Sequence, residues 1–159
     1  MSEKILTREI AEQFIEDEEF EEMSEYTKID EEAALILIYH EHGLEEWSEF
    51  SFTRIENISL LGTPDLLVCN TSGHFFTIEL KVTKGNKLKF SPHQISFHIK
   101  HPHNTFIIAE ALGPRALNRF QMFRGSRIME LEACGLKLDA CSLGLDACCL
   151  MLEQVGSKA

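Results

Sequence analysis

The stretch from Thr63 to Lys81, TPDLLVCNTSGHFFTIELK, restricts the possible folds more than any other part of the chain. Two runs rich in apolar and β-branched residues flank Asn70-Thr71-Ser72-Gly73, the pattern of a β-hairpin. If the loop is Thr71-Ser72-Gly73, with Gly73 in the left-handed position, Asn70 faces His74 and Asp65 faces Glu79. Alternation then puts Leu66, Val68, Phe76, Ile78, Leu80 and Val82 on one face, wholly apolar and therefore the core side. The other face carries Asp65, Leu67, Cys69, Phe75, Thr77, Glu79 and Lys81. A loop one residue shorter would send Asp65 and Glu79 to opposite faces, so the pairing depends on this turn.

Two carboxylates directly opposed across adjacent strands repel each other. A divalent cation between them reverses the sign of that interaction. Oxygen donors with open positions suit Mg²⁺ or Mn²⁺, which keep several waters for a substrate phosphate. Lys81 follows Glu79 on the same face, where an ammonium can orient water and offset charge building on phosphorus. The competing reading makes Asp65 a turn cap and Glu79–Lys81 a surface ion pair.

The flanking sequence supplies the rest of an α/β domain. Thr7 caps a predicted helix with apolar residues at Ile10, Ala11, Phe14 and Ile15. Asp30 opens a second, buried helix that Gly43 stops, with Ala33–Tyr39 as its apolar middle. A strand is expected near Phe50–Ile55, then the hairpin, then a basic loop KGNKLKF. Ser91 as N-cap and Pro92 at the first helical position start another helix. Thr105–Ala109 reads as an interior strand; FQMF and RIMEL, around Arg124-Gly125-Ser126, form either a hairpin or a strand leading into a helix. The order α-β-β-β-α-β implies one mixed central sheet flanked by helices.

Residues 132–152 repeat every seven positions: EACGLKL, DACSLGL, DACCLML. Ala133, Leu136, Ala140, Leu143, Ala147 and Leu150 fall on a heptad stripe, which predicts one C-terminal helix, either packed on the domain or forming a homodimer seam. Gly135 and Gly144 weaken such a helix by about 1 kcal/mol each. The expected divisions are an acidic helical segment over 1–29, a core over 30–131, the heptad helix and a tail over 153–159.

Net charge argues in two directions. The total is −11, yet residues 1–50 hold 17 acidic and 3 basic residues against 9 and 12 in the remainder. Lys84, Lys87, Lys89, Lys100, Arg115, Arg119, Arg124 and Arg127 all follow the hairpin and can track phosphates. Five cysteines without CxxC spacing, in a chain showing no signal peptide or membrane-length apolar run, point to reduced thiols and a cytoplasmic setting. The repeated cysteines read as small apolar packers. His93, His98, His101 and His103 cluster in HQISFHIKHPH, where packing, nucleic-acid contact and zinc ligation are the competing readings.

Gly62-Thr63-Pro64-Asp65, an apolar strand, a short turn and Phe76-Thr77-Ile78-Glu79-Leu80-Lys81 together resemble the PD-(D/E)XK nuclease superfamily. The similarity is to its VRR-Nuc-like and phage junction-resolvase-like members. It extends to Asp30-Glu31-Glu32 and to Ser91-Pro92-His93-Gln94, and so spans roughly residues 30–110. The resemblance implies a restriction-endonuclease-like core with an added C-terminal helix. It implies Mg²⁺ or Mn²⁺ held by Asp65, Glu79, the Leu80 carbonyl and Glu31 (or Glu32), with Lys81 catalytic and Gln94 assisting. Lys84, Lys87, Lys89, Ser91, His93 and Arg124 become the candidate nucleic-acid contacts, and Gly62 a point of close approach. The implied activity is metal-dependent endonuclease cleavage, of DNA more than RNA, at junctions or flaps, in a host cytoplasm if phage-encoded. The alternatives are a non-catalytic binding or oligomeric module on the same fold, and an RNA endonuclease.

Overall fold

The computed structural model describes residues 49–55, 61–111 and 120–157. The helices expected from Thr7 and Asp30, and with them Glu31 and Glu32, lie outside those residues. From Phe50 onward the chain forms one unit built on a six-stranded sheet. Its strands are β1 (Ser51–Arg54), β2 (Leu66–Cys69), β3 (Phe75–Thr83), β4 (Thr105–Ala111), β5 (Phe120–Arg124) and β6 (Ser142–Leu143). They lie side by side in chain order. Only β3 and β4 run parallel; every other neighbouring pair is antiparallel. Helix α1 (Pro92–Lys100) is the crossover such a parallel pair requires. Helices α2 (Ile128–Cys134) and α3 (Leu145–Glu153) complete the mixed α/β architecture expected from the sequence. Among the described residues no helix is long and apolar enough to cross a membrane.

The hairpin has the anticipated register. Leu66 pairs with Ile78, Leu67 with Thr77, Val68 with Phe76 and Cys69 with Phe75. The loop closes through Gly73 N donating to Asn70 O at 2.9 Å, and Asn70 N donating to His74 O at 3.1 Å. Gly73 has φ +74, the left-handed conformation that this loop demands and glycine adopts without penalty. Leu66, Val68, Phe76 and Ile78 are sealed from solvent on the core face, each contributing roughly 1.5–3 kcal/mol by burial. The opposite face is also covered beyond the hairpin, where Leu88, Phe90, Ile107, Ala109, Phe123, Ile128 and Leu131 form a second apolar cluster.

The heptad region departs from expectation. No single helix spans 132–152. Instead α2 ends at Cys134, a short 3₁₀ turn covers Gly135–Lys137, β6 follows, and α3 starts at Leu145. Two glycines break the helix: Gly135 at φ +62 and Gly144 at φ +82. A Cβ on Gly135 would sit 2.2 Å from the Asn86 carbonyl oxygen, so the chain turns where only glycine fits. The second cause is the open edge of β5, whose unpaired backbone groups compete for the segment. Cys141 N donates to Met122 O and Gly144 N to Phe120 O, both at 2.7 Å. The expectation that the repeated cysteines are packers holds for Cys148 and Cys149, both fully buried. Burial also pushes the Cys148 thiol up to about 12.

Asn70 joins the hairpin to the end of α3. Its Nδ2 donates to Leu152 O at 3.1 Å and Val155 O at 2.8 Å, while its Oδ1 accepts from His74 N at 2.9 Å. Asn70→Ala strands these buried carbonyls and should lower unfolding stability by roughly 1–3 kcal/mol in urea titrations. A change within error would show that the α3 terminus is held by other contacts.

Candidate active site

Asp65 immediately precedes β2, and its backbone carbonyl accepts from Ile55 N at 2.8 Å, the last rung toward β1. Continuing the hairpin register one step places it opposite Glu79. The Asp65 side chain is tied to the residue next to Glu79: Leu80 N donates to Asp65 Oδ2 at 2.8 Å. Parity along β3 puts Glu79 and Lys81 on the same face as Asp65. The Lys81 ammonium lies 3.0 Å from Glu79 Oε1 and 5.4 Å from the centre of the Phe90 ring. Glu79 is 1% exposed, so this ion pair sits in a far drier setting than a surface pair.

Gln94 ties the helix to the strand. Its Nε2 donates to Glu79 Oε1, and its Oε1 accepts from Lys81 Nζ at 3.4 Å and from Ser91 N at 2.9 Å. Ser91 Oγ in turn accepts from Gln94 N at 3.2 Å, closing a capping box at the start of α1. One side chain thus finishes the helix cap and fixes the carboxylate and the amine together. Gly62, at φ +87, lets the segment before Asp65 lie on this helix start. A Cβ there would fall 2.3 Å from the His93 carbonyl carbon. The close approach expected at Gly62 is therefore one of backbone to backbone.

The structure brings together Asp65, Glu79, Leu80, Lys81, Gln94 and Ser91, and it separates others. Lys84, Lys87, Lys89 and His93 are exposed on the loop and helix start that follow β3. Arg124 is different. It pairs with Phe106, whose partner is Ile78, so it belongs to the apolar-side face and not to the face of Glu79. Its expected place in a track with the loop lysines is thus corrected: strand parity turns it to the opposite side of the sheet. Glu31 lies outside the described residues. Phe90, beneath the Lys81 ammonium, was not anticipated; its position directly before the Ser91 cap was the available signal.

Burial raises the Asp65 carboxyl above its ordinary value, against the lowering effects of the Leu80 amide, Lys81 and Arg54. His98, one turn beyond Gln94 in α1, is wholly buried, and neither ring nitrogen has a hydrogen-bond partner. Its Nδ1 faces Gly125, where an added Cβ would sit 2.4 Å away. Burial first, then the charges of Lys81 and His101, lower His98 to about 4. The other histidines of the cluster diverge: His101 stacks on Phe97 at 4.6 Å, and His93 and His103 are exposed. Among the described residues no group of three or more His, Cys, Asp or Glu side chains converges.

No protein-family model matches the chain, and no curated protein sequence matches it. Among solved structures it is similar to Hjc, a Holliday junction resolvase from Archaeoglobus fulgidus. The two share 18% identity over 59% of this chain and 74% of that one, with a TM-score of 0.39. At that distance the likeness carries no weight beside the geometry.

His98 gives a signed pH test. The unfolded imidazole takes up a proton near pH 6.5 and the folded one only near 4, so stability is intact above the first value and lost as pH falls toward the second. The loss should reach roughly 3 kcal/mol. Urea unfolding at pH 7.5 and pH 4.5 should show it in the wild type and much less in His98→Leu. An equal slope in both would assign the effect to another group.

Proposed function

We propose that the protein is a Mg²⁺-dependent nuclease that hydrolyses phosphodiester bonds in nucleic acid, acting on DNA as an endonuclease at junctions or flaps. The observation that carries this reading is the meeting of Asp65, Glu79 and Lys81 on one face, with Gln94 orienting Glu79 and Lys81 and the Leu80 amide orienting Asp65. The donor set fits a hard divalent cation. Two carboxylates stand opposed across neighbouring strands, and burial raises one of them in spite of the Leu80 amide, Lys81 and Arg54, a setting that added positive charge would favour. Asp65, Glu79 and the Leu80 carbonyl would hold the ion, with Glu31 as the expected further ligand. When bound, it supplies Lewis-acid charge to the phosphate oxygens and acidifies a coordinated water.

The chain's own residues do the remainder. Lys81 donates hydrogen bonds, so its ammonium can orient the attacking water or hold a non-bridging phosphate oxygen as negative charge builds there. Gln94 keeps that ammonium beside Glu79 before substrate arrives, which removes a reorganisation cost from the reaction. The Phe90 ring closes one side of the amine and limits competing solvent. Lys84, Lys87 and Lys89, exposed on the loop just past the end of β3, would supply phosphate contacts to a strand running beyond the site.

Purified protein incubated with plasmid, single-stranded and four-way-junction DNA should cut with Mg²⁺ or Mn²⁺ and not with EDTA. Lys81→Ala and Asp65→Ala should each lower the rate about 100-fold or more with unchanged circular dichroism. Cleavage that persists in both variants would place the activity elsewhere. Metal uptake has its own readout. Mg²⁺ at about ten times its dissociation constant should stabilise the wild type by about 1.4 kcal/mol. Asp65→Asn should lose that response and, without metal, be at least as stable as the wild type at neutral pH. Equal stabilisation of both proteins would remove Asp65 from the ligand set.

A further inference from the structure

Arg124 and Arg127 stand three residues apart and are used differently. Arg127 is occupied: its Nη2 lies 3.1 Å from Glu130 Oε2, and its Nη1 donates to Asp139 O at 2.7 Å. The Arg124 guanidinium has no acceptor among the described residues. It lines a cavity of about 380 Å³ on the sheet face opposite Asp65 and Glu79. His103, Asn104 and Gln154 supply the other polar walls, Phe106 and Met151 the apolar ones, and no Asp or Glu is among the lining residues.

The cavity is built rather than left over. Asn104 is held in the left-handed conformation at φ 57. Its carbonyl accepts from Thr77 N at 2.9 Å, and its Oδ1 bonds His74 Nε2 at 3.1 Å. That engagement leaves the Asn104 amide N–H groups available to a guest. The turn after α3 closes the far wall, where Gly156 packs so tightly on the His74 ring that a Cβ would lie 2.3 Å from it. The carbonyls ending α3 are engaged by other donors: Asn70 Nδ2 donates to Leu152 O and Val155 O, and Ser157 Oγ to Gln154 O. Arg124 is exposed, and its planar fork of donors matches the geometry of a phosphate two-pronged. The cavity volume falls within the range of about 300–1,000 Å³ of small-ligand sites. Its apolar side gives the ligand's body a place to rest.

We propose that this cavity binds a phosphate group carried on a nucleoside-sized body, at a site separate from the carboxylate pair. Arg124 takes the phosphate, with Asn104 and His103 as further donors, and the Phe106–Met151 wall takes the body. The phosphate belongs either to a free nucleotide or to one unit of a strand, and the two share this chemistry.

Calorimetry on the full chain in EDTA, with adenosine 5′-monophosphate as probe, tests the site. Adenosine, lacking the phosphate, should bind at least tenfold more weakly. Arg124→Gln should weaken the monophosphate about tenfold or more, Arg124→Lys less, and Asp65→Asn should leave it unchanged. A ten-residue oligothymidylate that displaces the monophosphate identifies the strand as the source; one that does not identifies the free nucleotide. No monophosphate binding up to millimolar concentration, undiminished binding by a folded Arg124→Gln, or loss in Asp65→Asn would each overturn the proposal.

Discussion

The hydrogen bond from Gly73 N to Asn70 O sets the rest of the site, because it fixes the length of a loop. A strand has only two faces, and one residue more or less in that turn exchanges them along the whole of β3. With Gly73 in the left-handed region, Glu79 and Lys81 fall on the side of Asp65, and Phe76, Ile78 and Leu80 fall into the core. The apolar face and the turn agree on the same register. That agreement lets a charged pair be held in a dry place: core burial supplies the stability that the carboxylates oppose.

A second constraint acts from the helix side. Gln94 can reach Glu79 and Lys81 because Ser91 starts α1 at a fixed point, and Gly62 admits that helix start against the segment leading to Asp65. Strand and helix are therefore registered to each other through one amide, whose oxygen and nitrogen are both assigned by their partners. The ammonium of Lys81 rests between a carboxylate, this amide oxygen and an aromatic ring. It is poised by three unlike groups, none of which alone would hold a flexible side chain.

Much of this was legible in the residues. The hairpin, its turn, the Ser91-Pro92 helix start and the face shared by Asp65, Glu79 and Lys81 follow from short-range rules: alternation, capping and the φ that glycine tolerates. What stayed hidden depends on distant parts of the chain. The link from Asn70 to the end of α3 joins residues 82 and 85 positions apart. The Phe90 contact with Lys81 depends on how a loop folds back. Arg124 looked like one more basic residue near the site until the pairing of β4 with β5 settled its face. The continuous heptad helix failed for the same reason: its apolar spacing was real, but the open edge of β5 offered bonds that a local pattern does not reveal.

Three heptapeptides alike at four of their seven positions end in three different backbones. EACGLKL finishes a helix and enters a 3₁₀ turn, DACSLGL crosses into an edge strand, and DACCLML winds a helix of its own. Repetition at the level of letters has been converted into division of labour at the level of shape. The two glycines set where the backbone turns, and the address sets the rest: Asn86 at the first, Met122 and Phe120 at the next, and Asn70 at the last.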